Sequence, residues 1–561
     1  MTEKTDCGGT PEGVGLRIEA LPFERVPGQS RIFLDYLRDP TSLRRFYPSA
    51  VRFHHETAAR STEVLDNYTT DRDALCDALA GMNARYGAGE EVLRSVERLR
   101  APRTVAVVSG QQVGLFTGPL YTVYKALSAV KLARCLCERG TEAAPVFWMA
   151  TEDHDWPEVQ AADTIACDGR LARVEVPDAL HAEGQPVGGV VLDESIEESV
   201  ARLLGVLPTS EFTPDLEELL RDSYRPGRTH GEAFARMMTG LVGRYGLVLL
   251  DPTDARLKRL AAPLYAEAAR RAPEIAGALV ERSRALEREG YHAQVHTSED
   301  AFPLFFHDER GARLAVARGG GGLYQVKGSS EPALTAEEWA ALAAREPERF
   351  SPNVTLRAVV QDYLLPTVAY FGGAAEIAYF AQTAEVYRLL KRPATPILHR
   401  ASMTIVERRT GRALKRYGLT VEEFFAGLDP VIVRVVEEHL GRDVAQAFGE
   451  TERTIGAALD ELQERLRKFD PTLGDALTSG RRKIFYQLEG MRARFHRAQM
   501  ARDRAVLRQL ERAATALYPE KSLQERHVNV TSLLARHGRY VTDWIFSAID
   551  PGTVDHLIVY L

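Results

Sequence analysis

"TVAVVSGQQVGLFTGPLYTVYKALSAVKLARCLCERGTEAAPVFWM" (Thr104–Met149) is the stretch that decides the fold of this chain. Its β-branched start, Thr104–Gly110, has the length and composition of a fully buried strand. A helical segment over Pro119–Glu138 and a second apolar strand at Pro145–Met149 follow it. Strand, helix and strand in this order form a βαβ unit, which predicts a parallel sheet with helices on its faces.

The same pattern recurs further along the chain. Leu247–Leu250 predicts a strand followed by a helix, and Thr367–Gln382 runs from a strand through paired glycines into a helix. Ala394–Leu398 is the last predicted strand of the core. Between these segments, residues 295–330 contain two or three predicted antiparallel strands. We therefore predict an α/β core with a small antiparallel insertion.

The C-terminal part of the chain has a different periodicity. From Ile455 to Phe469 the apolar residues are spaced 4-3-4-3, and the spacing restarts at Ile484 and extends to Leu517. This is the heptad seam of a coiled coil. We interpret Asp470–Gly480 as the loop between two long antiparallel helices. The outer apolar positions of such a hairpin need a partner, so we expect a homodimer through the coiled coil.

Two domains follow from these patterns. Residues 1–398 should form the α/β core, preceded by N-terminal helices and carrying the β-rich insertion. Residues 399–561 should form a C-terminal helical domain, with the antiparallel coiled coil at about 450–518.

Composition narrows the classes of function. The chain has 561 residues, is 45% hydrophobic and 27% charged, and carries a net charge of −7, so no global basic field attracts nucleic acid or anionic lipid. No apolar run reaches the roughly 18 residues of a membrane helix, and the start MTEKTDCGGT lacks a signal-peptide core. An odd number of cysteines argues against a disulfide framework and indicates a cytoplasmic protein. The cysteines are Cys7, Cys76, Cys135, Cys137 and Cys167.

The first candidate site lies where the first predicted strand ends. Ligands of open parallel sheets bind outside the carboxyl ends of the strands. There we expect Thr117 to cap the following helix and Gly118 to let a ligand approach the backbone, since free N–H groups at a helix start suit phosphate or carboxylate. Lys125 lies further along the same helix. A plain capped helix is the structural alternative, but Gln111 and Gln112 are better recognition groups than packing groups.

The second candidate site follows the next strand, in WMATEDHDWPEV. Glu152, Asp153, His154 and Asp155 would perturb one another there, which is the condition for acid–base chemistry or cation binding. Asp155 with Glu158 also matches a capping box for a new helix. A metal would need further ligands from elsewhere, so no metal ligands are assigned and a role for a metal stays open.

The third candidate site is in SPNVTLRAVVQDYLLP and the glycines beyond it. Arg357 and Gln361 share a helix face, and the guanidinium could clamp a carboxylate or form a surface salt bridge. Gly372 and Gly373 could form a second glycine-lined helix start, with Glu376 one turn in.

Five segments together resemble one known family. They are SGQQVGLFTGPLYTVYKALSAVKLA, PVFWMATEDHDWPEV, GLVLLDPTD, SPNVTLRAVVQDYLLPTVAYFGGAAEIAYFAQ and KSLQERHVN. In this order, over nearly the whole chain, they are similar to the BshC family of bacillithiol biosynthesis. The resemblance implies a Rossmann-like core related to class I nucleotidyltransferases, with a C-terminal coiled-coil domain. It also implies that an amide bond joins L-cysteine to glucosaminyl-malate.

This resemblance gives the candidate residues expected roles. We expect ATP or another nucleotide to activate the cysteine carboxyl, with Lys125 and the backbone at Thr117–Gly118 holding phosphate. His154 or Asp153 would take a proton from the attacking amine, and Arg357 would bind a malyl carboxylate. The predicted catalytic residues are Lys125, Asp153 and His154. The predicted substrate- or nucleotide-binding residues are Ser109, Gly110, Gln111, Gln112, Thr117, Gly118, Tyr121, Glu152, Asp155, Asn353, Arg357, Gln361, Gly372, Gly373 and Glu376.

Two interpretations from other classes stay open. The chain could be a non-catalytic nucleotide- or sugar-binding protein whose coiled coil assembles a complex for thiol synthesis. It could also be a scaffold in which the helical hairpin carries the function. The polar residues that cluster at two strand ends argue against the scaffold interpretation. If the α/β core were an inactive relic, it would not need to keep such groups together.

Overall fold

The computed structural model describes residues 16–329 and 331–561. Cys7 and the stretch MTEKTDCGGT, in which no signal peptide is expected, lie outside the described residues. Within the described part of the chain, no helix combines the length and apolar character needed to cross a membrane. Cys135 is disulfide-bonded, which the scattered cysteine positions did not predict. The free cysteines among the described residues are Cys76, Cys137 and Cys167.

The described chain divides into two compact units. The first combines the residues up to Thr404 with Glu525–Val559, and the second combines Ile405–Gln524 with Tyr560–Leu561. This division differs from the predicted boundary after residue 398, because the chain returns to the first unit at Glu525. The return is fixed by buried polar contacts, since the Glu525 carboxylate accepts hydrogen bonds within the first unit.

The strands of residues 16–329 and 331–561 form four sheets. They are β1 Arg17–Leu21, β2 Val105–Gln111, β3 Ala143–Met149, β4 Ala161–Ile165, β5 Leu171–Glu175, β6 Val248–Leu250, β7 Ala301–His307, β8 Arg313–Arg318, β9 Tyr324–Val326, β10 Phe350–Pro352, β11 Thr367–Gly372, β12 Ile397–His399, β13 Ser402–Val406 and β14 His556–Tyr560. Strands β1, β14 and β13 pair in that order, and β4 pairs with β5.

The α-helices fill most of the remaining chain. They are α1 Arg31–Arg38, α2 Ser61–Asp66, α3 Arg72–Arg85, α4 Glu90–Arg100, α5 Tyr121–Glu138, α6 Trp156–Val159, α7 Ser195–Val206, α8 Thr213–Ser223, α9 His230–Val242, α10 Ala255–Arg270, α11 Ala272–Arg288, α12 Ala336–Arg345, α13 Val354–Leu364, α14 Ala374–Leu389, α15 Arg408–Tyr417, α16 Leu428–Val435, α17 Arg442–Phe469, α18 Pro471–Arg502, α19 Arg504–Leu517, α20 Gln524–His527, α21 Thr531–His537 and α22 Tyr540–Ala548.

The central sheet has the order β12-β11-β2-β3-β6, and every pair in it is parallel. Strands β2 and β3 are buried along almost their whole length, as their continuous apolar sequences predicted. Helix α5 connects them and packs on both. The predicted Rossmann-like α/β core is therefore confirmed. Its carboxyl edge carries the loops that hold the candidate residues.

The predicted antiparallel insertion is also confirmed. Strands β7, β8 and β9 form consecutive antiparallel pairs. The sheet has a fourth strand that the sequence did not predict, β10, which pairs with β7. Its three residues, Phe350–Pro352, lead directly into α13 and so connect the insertion to the candidate region at Arg357.

The second unit contains the predicted helical hairpin, formed by α17 and α18. The predicted loop over Asp470–Gly480 is wrong, because α18 already begins at Pro471 and only Asp470 separates the two helices. Asp470 caps α18 by accepting a hydrogen bond from the Thr472 backbone N–H, and proline suits the first helical position. Residues that look like loop formers therefore start a helix here.

Candidate active site

One cavity of about 690 Å³ opens at the carboxyl edge of the central sheet. Its walls come from the residues that follow β2, β3, β11 and β12, from the antiparallel sheet, and from α13 and α14. The sequence-predicted residues that line it are Gly110, Gln111, Gln112, Tyr121, Lys125, Glu152, Asp153, His154, Asn353, Arg357, Gly373 and Glu376. Three regions far apart in sequence thus contribute to one site.

The turn between β2 and α5 differs from the prediction. Thr117 does not cap α5, because the helix begins at Tyr121 and its N-cap position, Leu120, makes no side-chain capping bond. Thr117 has a φ of 80° and Gly118 a φ of 67°, so the chain makes a left-handed turn there. The buried Asn529 amide donates to the Gly118 carbonyl at 2.7 Å. Neither Thr117 nor Gly118 lines the cavity, so the predicted phosphate cradle does not form there.

Other predicted binding residues lie outside the cavity wall and contact the residues that form it. Ser109 Oγ donates to the Phe371 carbonyl at 2.9 Å and so joins two neighbouring strands. Gln361 is buried and accepts a hydrogen bond from Arg357 at 3.1 Å. A Cβ at Gly372 would lie 2.8 Å from the Glu376 Cβ, so only glycine fits at that position. These residues position cavity residues without lining the cavity themselves.

The predicted capping box at Asp155 does not form. Asp155 occupies the N-cap position of the short helix α6, but its side chain makes no capping hydrogen bond. Asp155 is exposed and does not line the cavity. Glu158 instead lines the cavity, with Oε2 3.4 Å from Gln112 Nε2. A residue predicted to be structural therefore belongs to the candidate site.

Five residues after β2, after β3 and on β8 make up what we call the carboxylate cluster, namely Gln112, Asp153, His154, Glu158 and Arg313. Gln112 Nε2 donates to Asp153 Oδ2 at 2.5 Å, and the His154 backbone N–H donates to Asp153 Oδ1 at 2.7 Å. Arg313 Nη1 lies 3.6 Å from Asp153 Oδ1. Asp153 is therefore the centre of the carboxylate cluster.

The two carboxyl groups of this cluster have pKa values shifted in opposite directions. Burial opposes the ionisation of Asp153, but the hydrogen bond from Gln112 and the charge of Arg313 outweigh it and lower its pKa. Partial burial, together with the charges of Asp155 and Asp153, raises the pKa of Glu158. Paired groups with separated pKa values are typical of acid–base sites. Asp153 therefore ionises at a lower pH than Glu158.

Arg313 fixes the protonation of the His154 ring. Its Nη1 is 3.1 Å from His154 Nδ1, and because a guanidinium can only donate, Nδ1 must be the acceptor. The neutral ring then carries its proton on Nε2. Burial and the charge of Arg313 both lower the His154 pKa, which favours this neutral form. His154 therefore presents an N–H donor rather than a free basic nitrogen.

Arg313 is itself rigidly held, although nothing in the sequence marked it. Its Nε donates to Ser351 Oγ at 3.0 Å and its Nη2 to the Pro352 carbonyl at 3.1 Å. The guanidinium carbon lies 3.7 Å from the centre of the Phe305 ring, a close cation–π contact. The antiparallel insertion therefore supplies one of the charges of the candidate site.

A second group, which we call the arginine cluster, consists of Lys125, Arg357, Gly373, Glu376 and Arg400. Lys125 forms a buried ion pair with Glu376. Its Nζ also donates to the Gly110 carbonyl at 2.9 Å and to Gln111 Oε1 at 2.7 Å. An ammonium group has three donors, so these partners use all of them. Lys125 is fully occupied by the protein.

The ion pair at the centre of the arginine cluster stabilises both charges. Burial lowers the pKa of Lys125, while the charge of Glu376 opposes the shift. Burial would raise the pKa of Glu376, but the charge of Lys125 and the hydrogen bonds that Glu376 accepts together outweigh burial and lower that pKa. Glu376 also accepts hydrogen bonds from the Gly373 N–H at 2.8 Å and the Tyr370 hydroxyl at 2.7 Å. This carboxylate therefore stays ionised although it is buried.

The two guanidinium groups of the arginine cluster have different partners. Arg357 contacts uncharged groups, since it donates to Gln361 and Tyr379 and lies over the Tyr370 ring. Arg400 is only 4% exposed, and its Nη2 donates to the buried Glu525 at 2.7 Å. Arg400 is not among the sequence-predicted residues, although it directly follows the carboxyl end of β12. Its position after a core strand was the available signal.

Glu152 and Asn353 line the cavity, and the side chain of each is bonded to another group of the protein. Glu152 forms a buried ion pair with Lys258, and burial raises its pKa although Lys258 opposes the shift. Asn353 caps α13, accepting from the Leu356 backbone N–H at 3.0 Å. Within the described residues, no group of three or more His, Cys, Asp or Glu side chains is arranged to hold a metal ion.

Comparison with known proteins covers the whole described length. Two family profiles match, "Bacillithiol biosynthesis BshC, N-terminal Rossmann-like domain" over residues 16–401 and "Bacillithiol biosynthesis BshC, C-terminal coiled-coil domain" over residues 403–561. The two profiles meet close to the point where the first compact unit gives way to the second.

Several curated relatives match nearly the whole chain, and each is named "Putative cysteine ligase BshC". A protein of Koribacter versatilis is 40% identical over 94% of this chain and 97% of its own length. One of Solibacter usitatus is 37% identical over 95% and 98% of the two chains. One of Salinibacter ruber is 34% identical over 94% and 96%. These values are high enough to establish a common family.

Proposed function

This chain belongs to the BshC family of bacillithiol biosynthesis, and from that premise we propose that it joins L-cysteine to glucosaminyl-malate through an amide bond. The relatives' name gives a cysteine ligase. The observation that carries the proposal is the meeting of the carboxylate cluster and the arginine cluster in one cavity. The reaction needs both, because it must move a proton from an amine and bind a dicarboxylic sugar derivative.

Nucleotide-dependent activation is part of this proposal. A carboxylate does not condense with an amine unaided, so the cysteine carboxyl must first become a better electrophile, most simply as an adenylate with release of pyrophosphate. The amine then attacks that carbon and AMP leaves. Thr117 and Gly118 do not face the cavity and Lys125 has no free donor, so we assign phosphate binding to none of them.

The geometry favours distinct roles for Asp153 and His154. Asp153, as the ionised carboxylate, takes the proton from the attacking amine. His154 has its Nδ1 occupied by Arg313, so its Nε2–H donates to the carbonyl oxygen on which negative charge develops. Arg357, whose partners are uncharged, binds a malyl carboxylate.

A reconstitution assay tests the proposed reaction. Purified protein is incubated with cysteine, glucosaminyl-malate and ATP, and bacillithiol and pyrophosphate are quantified by mass spectrometry and coupled detection. We expect both products to depend on all three substrates. Amide formation without nucleotide consumption would refute the activation step. If Asp153→Ala leaves thiol production in cells intact, the alternative of a non-catalytic binding protein that assembles the cytoplasmic thiol-forming complex is preferred.

We further propose a homodimer through the coiled coil. Apolar side chains on the hairpin are exposed, with Phe469 at 85%, Tyr486 at 71% and Met491 at 53%. Such side chains on a long helical hairpin are typical of a surface that packs against a second copy. Light scattering on the full chain should give a dimer mass, and the double variant Tyr486→Glu/Met491→Glu should give a monomer. A monomeric wild type would refute the proposal.

A further inference from the structure

The first turn of α14 faces the cavity. Its backbone N–H groups have no hydrogen-bond acceptor within the helix. Gly373 is the N-cap, and the next two residues, Ala374 and Ala375, line the cavity with it. The first N–H groups of a helix have no intrahelical acceptor, and the helix dipole makes this end partly positive. Small side chains leave these N–H groups accessible. A helix start alone, however, does not establish a binding site.

Arg400 provides an independent observation at the same place. Its side chain is 4% exposed, its Nη1 donates to the Ala401 carbonyl and its Nη2 to Glu525. Its Nε is buried and has no hydrogen-bond partner among the described residues. A buried, unpaired N–H on a charged group costs free energy unless a ligand satisfies it. This Nε and Glu376 Oε2 each lie 3.7 Å from where a Cβ would stand on Gly373, so both atoms border the space in front of α14.

Arg357 belongs to the same part of the cavity. Arg357, Arg400 and Lys125 all line the same cavity. Burial lowers the pKa of Lys125, and the charges of Arg400 and Arg357 contribute to the same shift. The Lys125 charge is balanced by Glu376, and the Arg400 charge by Glu525. The Arg357 guanidinium donates only to uncharged partners. Three cations, Lys125, Arg357 and Arg400, therefore meet two carboxylates, Glu376 and Glu525, which leaves one positive charge without a matching anion.

We propose that the start of α14, together with Arg400, binds the second carboxylate of a dicarboxylic substrate whose first carboxylate is bound by Arg357. The acceptor oxygens meet the Ala374 and Ala375 N–H groups and Arg400 Nε. This inference rests on the proposed function, in which the malyl group of glucosaminyl-malate supplies both carboxylates. A phosphate group has similar acceptor chemistry, so the experiment includes inorganic phosphate as a competing probe.

The test measures binding of L-malate to the full chain by isothermal titration calorimetry. Gly373→Val fills the space in front of α14, since a Cβ there meets nothing closer than 3.7 Å and the backbone φ of −88° accepts any residue. Its matched control is Gly89→Val, at the N-cap of α4, with a φ of −81° and nothing within 4 Å of the Cβ position. We expect Gly373→Val to weaken L-malate binding at least tenfold and Gly89→Val to leave it unchanged.

Two further variants separate the donors. Arg400→Lys keeps a cation beside Glu525 but removes Nε, and Arg357→Gln removes the other guanidinium. Each should weaken L-malate binding about tenfold or more, as expected for the loss of a charge-assisted hydrogen bond. Succinate, which keeps both carboxylates, should compete with L-malate, and inorganic phosphate should not. Thermal unfolding of each variant without ligand confirms that it is folded.

The outcomes distinguish this inference from the proposed function. Unchanged L-malate affinity in Gly373→Val and Arg400→Lys overturns the inference, even if the enzyme forms bacillithiol. Displacement of L-malate by phosphate at equal strength also overturns it, and assigns the site to a phosphate group instead. If Gly373→Val and Arg400→Lys weaken L-malate binding but the wild type forms no amide product, the dicarboxylate site is supported and the proposed reaction is refuted.

Discussion

The carboxylate cluster and the arginine cluster share one cavity but differ in how their charges are held. In the arginine cluster, Lys125 and Glu376 are buried and each already has several polar partners. In the carboxylate cluster, the Asp153 side chain is 34% exposed and that of His154 is 43% exposed. Ion pairing keeps the first pair charged, whereas the second group can change its protonation. The two clusters therefore differ in that the protein fixes the charges of the first, whereas the second remains open to proton exchange.

The same comparison shows why residue type alone is a poor guide to role. Lys125 was predicted to be catalytic, yet all three of its donors are used by the protein. Glu158 was predicted to belong to a helix cap, yet it lines the cavity with a raised pKa. The role of a side chain depends on how many of its hydrogen-bonding groups remain free to contact a ligand.

The largest effect should come from breaking the buried ion pair. Lys125→Met leaves Glu376 without its cation, and we expect the free energy of unfolding to fall by about 3–5 kcal/mol. Urea denaturation of the full chain measures this. The matched control is Arg221→Met, which breaks an exposed pair with Glu217 and should cost less than about 1 kcal/mol. Equal losses in the two variants would show that Lys125 is not held as described.

Asp153→Asn tests the other side of the comparison. Removing the proton acceptor should slow amide formation by about 10²-fold without changing the free energy of unfolding by a comparable amount. The neighbouring Asp155→Asn is the control, because Asp155 is exposed and does not line the cavity. Its rate should equal that of the wild type. A normal rate in Asp153→Asn would remove Asp153 from the proton transfer.

Arg313→Met should have a smaller effect, acting through His154. Without the donor on Nδ1, the ring is free to adopt either tautomer, and we expect a rate loss of about tenfold, equivalent to one hydrogen bond of ~1.4 kcal/mol. The His154 pKa should rise, because the charge of Arg313 contributes to lowering it. Nitrogen-15 NMR of the histidine ring reports both tautomer and pKa. An unchanged Nε2–H tautomer in Arg313→Met would contradict this role.

The smallest expected effect is a shift of the pH profile in Gln112→Ala. The hydrogen bond from Gln112 helps to lower the Asp153 pKa, so its removal lets that pKa rise. Asp153 must be ionised to accept a proton, so activity is lost as pH falls through its pKa. Gln112→Ala should therefore lose activity at a higher pH than the wild type, while the rates converge toward neutral pH. Profiles of kcat/KM that coincide throughout would contradict this.

The sequence predicted those features that depend on local pattern. Thr104–Gly110 and Pro145–Met149 are continuous apolar runs, so their strands and the connecting helix could be predicted directly. The polar residues that follow them then fell at one edge of the sheet, because parallel strands align their carboxyl ends. Arg313 could not be identified in this way, since its partners are distant in sequence. Arg400 directly follows β12, and that position was its one local signal.

The failures also have a physical cause. Thr117 has the sequence signature of a helix cap, but the carbonyl groups around it are bound by Asn529, 411 residues away, and the local signal is overridden. At Asp470 the opposite happened, because proline and glycine suggested a loop where aspartate and proline begin a helix. Predictions from local sequence patterns fail where backbone groups form their hydrogen bonds with a distant residue, or with a capping side chain that the pattern did not include.

The Asn529 contact has a consequence for how the protein is made. This side chain holds the turn after β2, yet it follows the entire helical unit in the sequence. During synthesis, the turn after β2 therefore lacks its hydrogen bonds to Asn529 until the chain is almost complete. Strand β2 is made early, but its turn can be fixed only after residue 529 has been made. Such a long sequence separation slows folding. Premature termination between residues 401 and 528 would yield a chain that keeps every candidate catalytic residue but lacks the Asn529 contact that holds the turn after β2.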